Sequence, residues 1–87
     1  MHEFSLIADL LKKIESIAQE NNAAKVTGVK VKLGALSHIS AAHFREHFVQ
    51  GTNRTIAEGA DLEVEVSEDL NDPHAQDILL LSVDVPQ

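Results

Sequence analysis

Val26-Thr27-Gly28-Val29-Lys30-Val31-Lys32-Leu33-Gly34 decides the fold. Val29, Val31 and Leu33 alternate with Lys30 and Lys32. A period of two puts the apolar side chains on one face of a strand and the ammonium groups on the other. Gly34 ends the run. Upstream, the periodicity is different. Ile7, Leu10, Leu11, Ile14, Ile17 and Ala18 recur at spacings of three and four, which predicts a helix over 4–20 with one apolar stripe. Asn21 and Asn22 suit its end. Downstream, Ser40 is a good N-cap for a second helix through about Gln50, with Gly51 placed to stop it and Ala41, Phe44 and Phe48 as its buried stripe.

Alternation returns at residues 61–66, with Leu62, Val64 and Val66 set against Glu63 and Glu65. A polar connection from Ser67 to Asp77, punctuated by Pro73, leads to a last strand over residues 78–85. The early part of that strand, Ile78-Leu79-Leu80-Leu81, is apolar in both parities, so it is expected to be central or covered on both sides. The order is helix, strand, helix, strand, strand. A strand–helix–strand unit favours a parallel pair, and the long connection permits an antiparallel return. The expected fold is therefore α+β, with two helices packed on one face of a three-stranded mixed sheet. If Lys30 and Lys32 lie beside Glu63 and Glu65, the wet face carries complementary cross-strand pairs.

Composition narrows the function. Eighty-seven residues suit one small domain, residues 1–87. There is no cysteine, which rules out disulfides, thiolate zinc sites, iron–sulfur clusters and a cysteine nucleophile. The core is expected to rest mainly on Ile, Leu, Val and Ala, because aromatic residues are 3% of the chain and all are Phe. The net charge of −7 argues against nucleic acid and against anionic membrane as partners. No apolar run is long enough to span a bilayer, and Glu3 and Asp9 interrupt any secretory pattern, so the expected location is cytoplasmic. The charge is unevenly placed. All seven bases lie at or before Arg54, whereas residues 55–87 hold nine acids and no base. That half is either a solvated acidic surface or a face for cations or a basic partner.

Three groups of residues can carry chemistry. At the chain start, Met1-His2-Glu3 offers a free α-amine, the amide nitrogen and imidazole of His2, and the amide of Glu3. These nitrogens close adjacent chelate rings in a plane, an arrangement that suits nickel(II) or copper(II) more than zinc. A histidine at position 2 is otherwise an ordinary feature of a chain terminus. His43 and His47 are four apart on the second helix and share a face, so they can hold part of a divalent site. They can equally flank the Phe44/Phe48 stripe, and His38 joins them only if its loop folds back. Glu68, Asp69, Asp72, His74 and Asp77 form an acidic connection that lacks the spacing of a calcium loop. Walker A, Gly-x-Gly-x-x-Gly, nucleophile-elbow and His-Glu-x-x-His patterns are all absent, and no enzyme activity is expected.

Three segments then join into one pattern. Met1-His2-Glu3-Phe4-Ser5-Leu6 opens the chain, Leu33-Gly34-Ala35-Leu36-Ser37 follows the first strand, and Gly51-Thr52 through Ile56-Ala57-Glu58-Gly59-Ala60-Asp61-Leu62-Glu63-Val64 leads into the second. In this order and at these separations they resemble the HypA/HybF family, the nickel chaperones of [NiFe]-hydrogenase and urease maturation. The likeness runs from Met1 to about Val66 and resumes over Ile78–Val85. It implies a nickel domain of two helices on a three-stranded sheet, with Met1, His2 and Glu3 as the nickel site. It also implies a HypB-like GTPase and the large subunit of a nickel enzyme as partners. The family carries two Cys-x-x-Cys pairs in a zinc domain between the second and last strands. Here that interval is Ser67–Asp77 and holds no cysteine, so no structural zinc is expected. The resemblance therefore implies a short nickel accessory protein. The alternative is a metal-free paralogue that keeps the fold and uses its sheet edge or acidic face to hold a protein partner.

Overall fold

The computed structural model describes residues 2–86, with the side chains described from Leu6 onward. The elements are α1 (His2–Glu20), β1 (Gly28–Leu33), α2 (Ala41–Gly51), β2 (Asp61–Val66) and β3 (Ile78–Asp84). The sheet order is β2-β1-β3. The strand in which Val29, Val31 and Leu33 alternate with Lys30 and Lys32 is thus the central one. It pairs in parallel with β2 and antiparallel with β3, the mixed topology expected.

Both helices cover the face of β1 that carries Val29, Val31 and Leu33, all buried. Ile7, Leu10, Ile14 and Ala18 of α1 and Phe44 and Phe48 of α2 complete that core, together with Val26 and Ala57. Side chains with spacings of three and four on a helix meet those of alternating spacing on a strand, and the two apolar stripes close against each other. The phenyl rings of Phe44 and Phe48 lie 6.1 Å apart. α1 ends in the hydrogen-bond pattern of a Schellman motif. Asn22 has φ 55°, Ala23 N–H donates to Ala18 O at 2.8 Å, and Asn22 N–H donates to Gln19 O at 3.0 Å. Ser40 caps α2, its hydroxyl accepting from His43 N–H at 3.1 Å.

Two details differ from expectation. Gly51 is the last residue of α2, and Thr52 caps the helix. A Cβ there would fall 2.5 Å from Ile7 Cγ2 on α1, so any larger residue has to displace that side chain. The second difference is at β3, which lies at the edge of the sheet and not at its centre. Its two-sided apolar run has another cause. Val31 is level with Leu80 but Lys30 is level with Ser82, so Leu81 is an extra, bulged residue. The bulge reverses parity: Ile78 and Leu80 before it, and Val83 after it, all pack on the core, while Leu81 is 44% exposed.

The wet face is charged as predicted, with one change of partner. Lys30 is level with Glu63 and pairs with it at 3.2 Å. Lys32 is level with Glu65 but reaches the other way, to Asp72 at 3.7 Å. The connection from Ser67 to Asp77 folds against Gly34. Gly34 N–H donates to Asp77 O at 2.9 Å and Leu36 N–H to Ala75 O at 2.7 Å. A Cβ on Gly34 would collide with the Ala75 carbonyl. Ala75 is buried, so this short connection has a small packed centre of its own.

Candidate metal sites

The N-terminal candidate stands at the start of α1, whose first residue is His2. Met1 and the side chains of His2 and Glu3 lie outside the described residues. The backbone of residues 2 and 3 is nevertheless informative. The first N–H groups of a helix have no acceptor within it. The amides of His2 and Glu3 are therefore outside the intrahelical ladder, and removing their protons breaks no helix hydrogen bond. A donor set of amine, amide and imidazole nitrogens matches the preference of a square-planar d8 cation. The chemistry of the residues present thus fits nickel(II).

His43 and His47 come together as their spacing predicts, with ring centroids 4.8 Å apart and planes tilted by 31°. His43 is exposed and His47 half-buried on the flank of the Phe44/Phe48 stripe. His38 is exposed in the preceding loop with a left-handed φ of 61°. Among the described residues, no group of three or more His, Asp or Glu side chains is placed to hold a metal ion, so these histidines do not form a three-ligand site.

The acidic connection spends its side chains on its own backbone. Asp69 Oδ1 accepts from Asn71 N–H at 3.0 Å, and Asp72 Oδ1 from His74 N–H at 2.9 Å. These are the Asx turns that let a short polar segment reverse direction. His74 Nδ1 sits 2.9 Å from Asp77 Oδ2. The Asp72 carboxyl is held below the usual carboxylate value, first by the His74 backbone N–H and then by the Lys32 ammonium, with burial opposing both. The loop is a structural closure.

Arg45 was not singled out by sequence reasoning. It reaches from α2 to donate from Nη1 to Leu62 O on β2 at 2.8 Å. Its signal was slight: a base on the outer side of a helix whose other side carries Phe44 and Phe48.

The arrangement is that of a small α+β domain, two helices on a three-stranded mixed sheet. By shape it is similar to the solution structure of the Ni metallochaperone HypA from Helicobacter pylori, with a TM-score of 0.78, 18% identity, and 95% of this chain and 96% of that chain covered. A second solution structure, of a HypA protein, superposes with a TM-score of 0.76 and 19% identity over 99% of this chain and 97% of that one. The family described as "Hydrogenase/urease nickel incorporation, metallochaperone, hypA" matches residues 1–70. Relatives include the hydrogenase maturation factor HypA of Aquifex aeolicus, 41% identical over 68 residues, which are 78% of this chain and 59% of that protein. HypA of Rhodopseudomonas palustris is 41% identical over 64 residues, 74% of this chain and 57% of that protein. The chain belongs to the HypA family. It spans a little under three-fifths of the length of these relatives. Among the described residues, no helix is long and apolar enough to cross a membrane.

Proposed function

We propose that this chain is a nickel-binding accessory protein for maturation of a nickel enzyme, and that residues 1–87 are a single nickel domain with no zinc module between 67 and 77. Ni(II) is held by the Met1 α-amine, the amide and imidazole nitrogens of His2, and the amide of Glu3. The observation that carries this reading is the opening Met1-His2-Glu3 in a chain of the HypA family, set where helix α1 leaves its first amides outside the ladder. The Glu3 carboxylate adds negative charge at a helix start, which suits both the helix dipole and a bound cation. The donors must lose protons to bind, so affinity falls as pH drops. Delivery to a nickel-enzyme large subunit, with a HypB-like GTPase as intermediary, is the corresponding role. The closure of Ser67–Asp77 onto Gly34 supports a domain that stands without zinc.

The test is a nickel titration of tag-free protein followed by visible absorption, with His2→Ala alongside. The expected result is a one-equivalent complex with the d–d band of square-planar nickel, lost in the variant. An octahedral spectrum identical in both proteins sinks the assignment, because exposed imidazoles bind nickel nonspecifically.

A further inference from the structure

β2 has one neighbouring strand and one free edge. Which peptide groups face that edge follows from the ladder. Asp61 N–H donates to Thr27 O and Ser67 N–H to Leu33 O, both at 2.9 Å, so the odd-numbered residues turn their peptide groups toward β1. Successive peptide groups alternate sides, so Leu62, Val64 and Val66 turn theirs outward. Arg45 reaches over from α2 and caps one of these acceptors, Leu62 O. Beside it, Ala42, Glu46 and Val49 share the outward flank of α2, and Val49 is 64% exposed. The edge of β2 and this flank of α2 meet at Arg45.

We infer that this edge is a docking site for an extended segment of a partner protein in which basic residues alternate with apolar ones. An incoming strand would take its hydrogen bonds from the outward peptide groups of β2. Its alternate side chains would then fall on opposite sides. Those on the helix side meet the Ala42/Val49 strip and must be apolar. Those on the open side meet Asp61, Glu63 and Glu65 and must be basic. The protein's own β1 already pairs with β2 on these terms, Lys30 meeting Glu63 at 3.2 Å. The match on β1 is incomplete, because Glu65 is level with Lys32, which turns to Asp72, and Asp61 is level with Gly28, which has no side chain. Two carboxylates of β2 therefore retain their charge for a second strand. A second copy of β2 is the wrong occupant, since antiparallel pairing across a two-fold axis sets Glu63 and Glu65 beside their own kind. Arg45 is the closing contact: it competes with the incoming strand for Leu62 O.

The proposal is independent of nickel and is tested on the metal-free chain of residues 1–87. The probe is the acetylated, amidated peptide Lys-Val-Lys-Val-Lys-Val, titrated into nitrogen-15-labelled protein. Saturable shifts confined to the Leu62, Val64 and Val66 amides and to Ala42 and Val49 are expected. Glu65→Lys, at an exposed position, should weaken binding about tenfold without moving other resonances. Arg45→Ala should tighten it. Equal response to the charge-reversed Glu-Val peptide, shifts centred elsewhere, or no shift at millimolar peptide overturns the inference. So does self-association through β2 without peptide.

Discussion

Gly34 and Asp72 show how much of this small protein rests on single contacts in the connection that ends at Asp77. A Cβ at Gly34 would enter the Ala75 carbonyl, and backbone cannot give way as a side-chain tip can. Gly34→Ala is therefore expected to cost about 1–3 kcal/mol, the usual range for overpacking. Urea unfolding checks it; a loss within error of zero means that the connection moves aside freely. Asp72 acts through charge. Its folded-state pKa is depressed by the His74 backbone N–H and the Lys32 ammonium, so the folded protein holds that proton less tightly than the unfolded chain. The stability this supplies is complete above about pH 5 and is lost as pH falls through the folded value. Asp72→Asn keeps an acceptor oxygen for His74 N–H but removes the charge. The drop in urea midpoint between pH 5 and pH 2 should be smaller in the variant than in the parent. An equal drop assigns the acid sensitivity to other carboxylates.

The strands show where pattern alone suffices and where it does not. Val29, Val31 and Leu33 against Lys30 and Lys32 fixed β1 and its buried face correctly, because a period of two has one structural meaning when one face is apolar. The same logic failed on Ile78-Leu79-Leu80-Leu81. A bulge changes parity midway, and nothing in four consecutive apolar residues announces it. The strand therefore read as two-sided, though it lies at an edge. The bulge has a measurable consequence. Leu81→Lys should change stability by less than about 0.5 kcal/mol, since the side chain is 44% exposed. Leu80→Glu should cost more than about 2 kcal/mol, because it sets a charge against the core. Comparable losses at both positions exclude a bulge at Leu81. The site was legible to a different degree. The proposed donors of Met1-His2-Glu3 rest on their chemistry alone, since those side chains lie outside the described residues, whereas His43 and His47 met as a spacing of four requires. Arg45 was not legible, because its acceptor lies 17 residues away on a strand edge that only the register defines.

The distribution of charge and the closing of the chain together bear on how such a domain holds together without the cysteines of a zinc module. Residues 55–87 carry nine acids and no base, yet the strand and connection they form lie against Lys30 and Lys32 of the central strand. The pairs are exposed or half-exposed and individually weak. Their main effect is to relieve repulsion among carboxylates that the fold concentrates on one side. The cohesion comes from the core under α1 and α2 and from the backbone bonds that seat the connection on Gly34. Domains organised by structural zinc unfold when the metal is removed, because the binding free energy is part of the folding free energy. Here none of the groups that close the connection is a thiolate. Thermal unfolding in excess chelator should therefore give the same midpoint as in buffer. Nickel should raise the midpoint of the parent, since a ligand bound only to the native state stabilises it by about 2.7 kcal/mol at a hundredfold excess over its Kd. His2→Ala should lose that rise while keeping the metal-free midpoint. A chelator-induced fall in His2→Ala, which lacks the imidazole of the proposed N-terminal chelate, would show that a metal bound elsewhere is part of the fold itself.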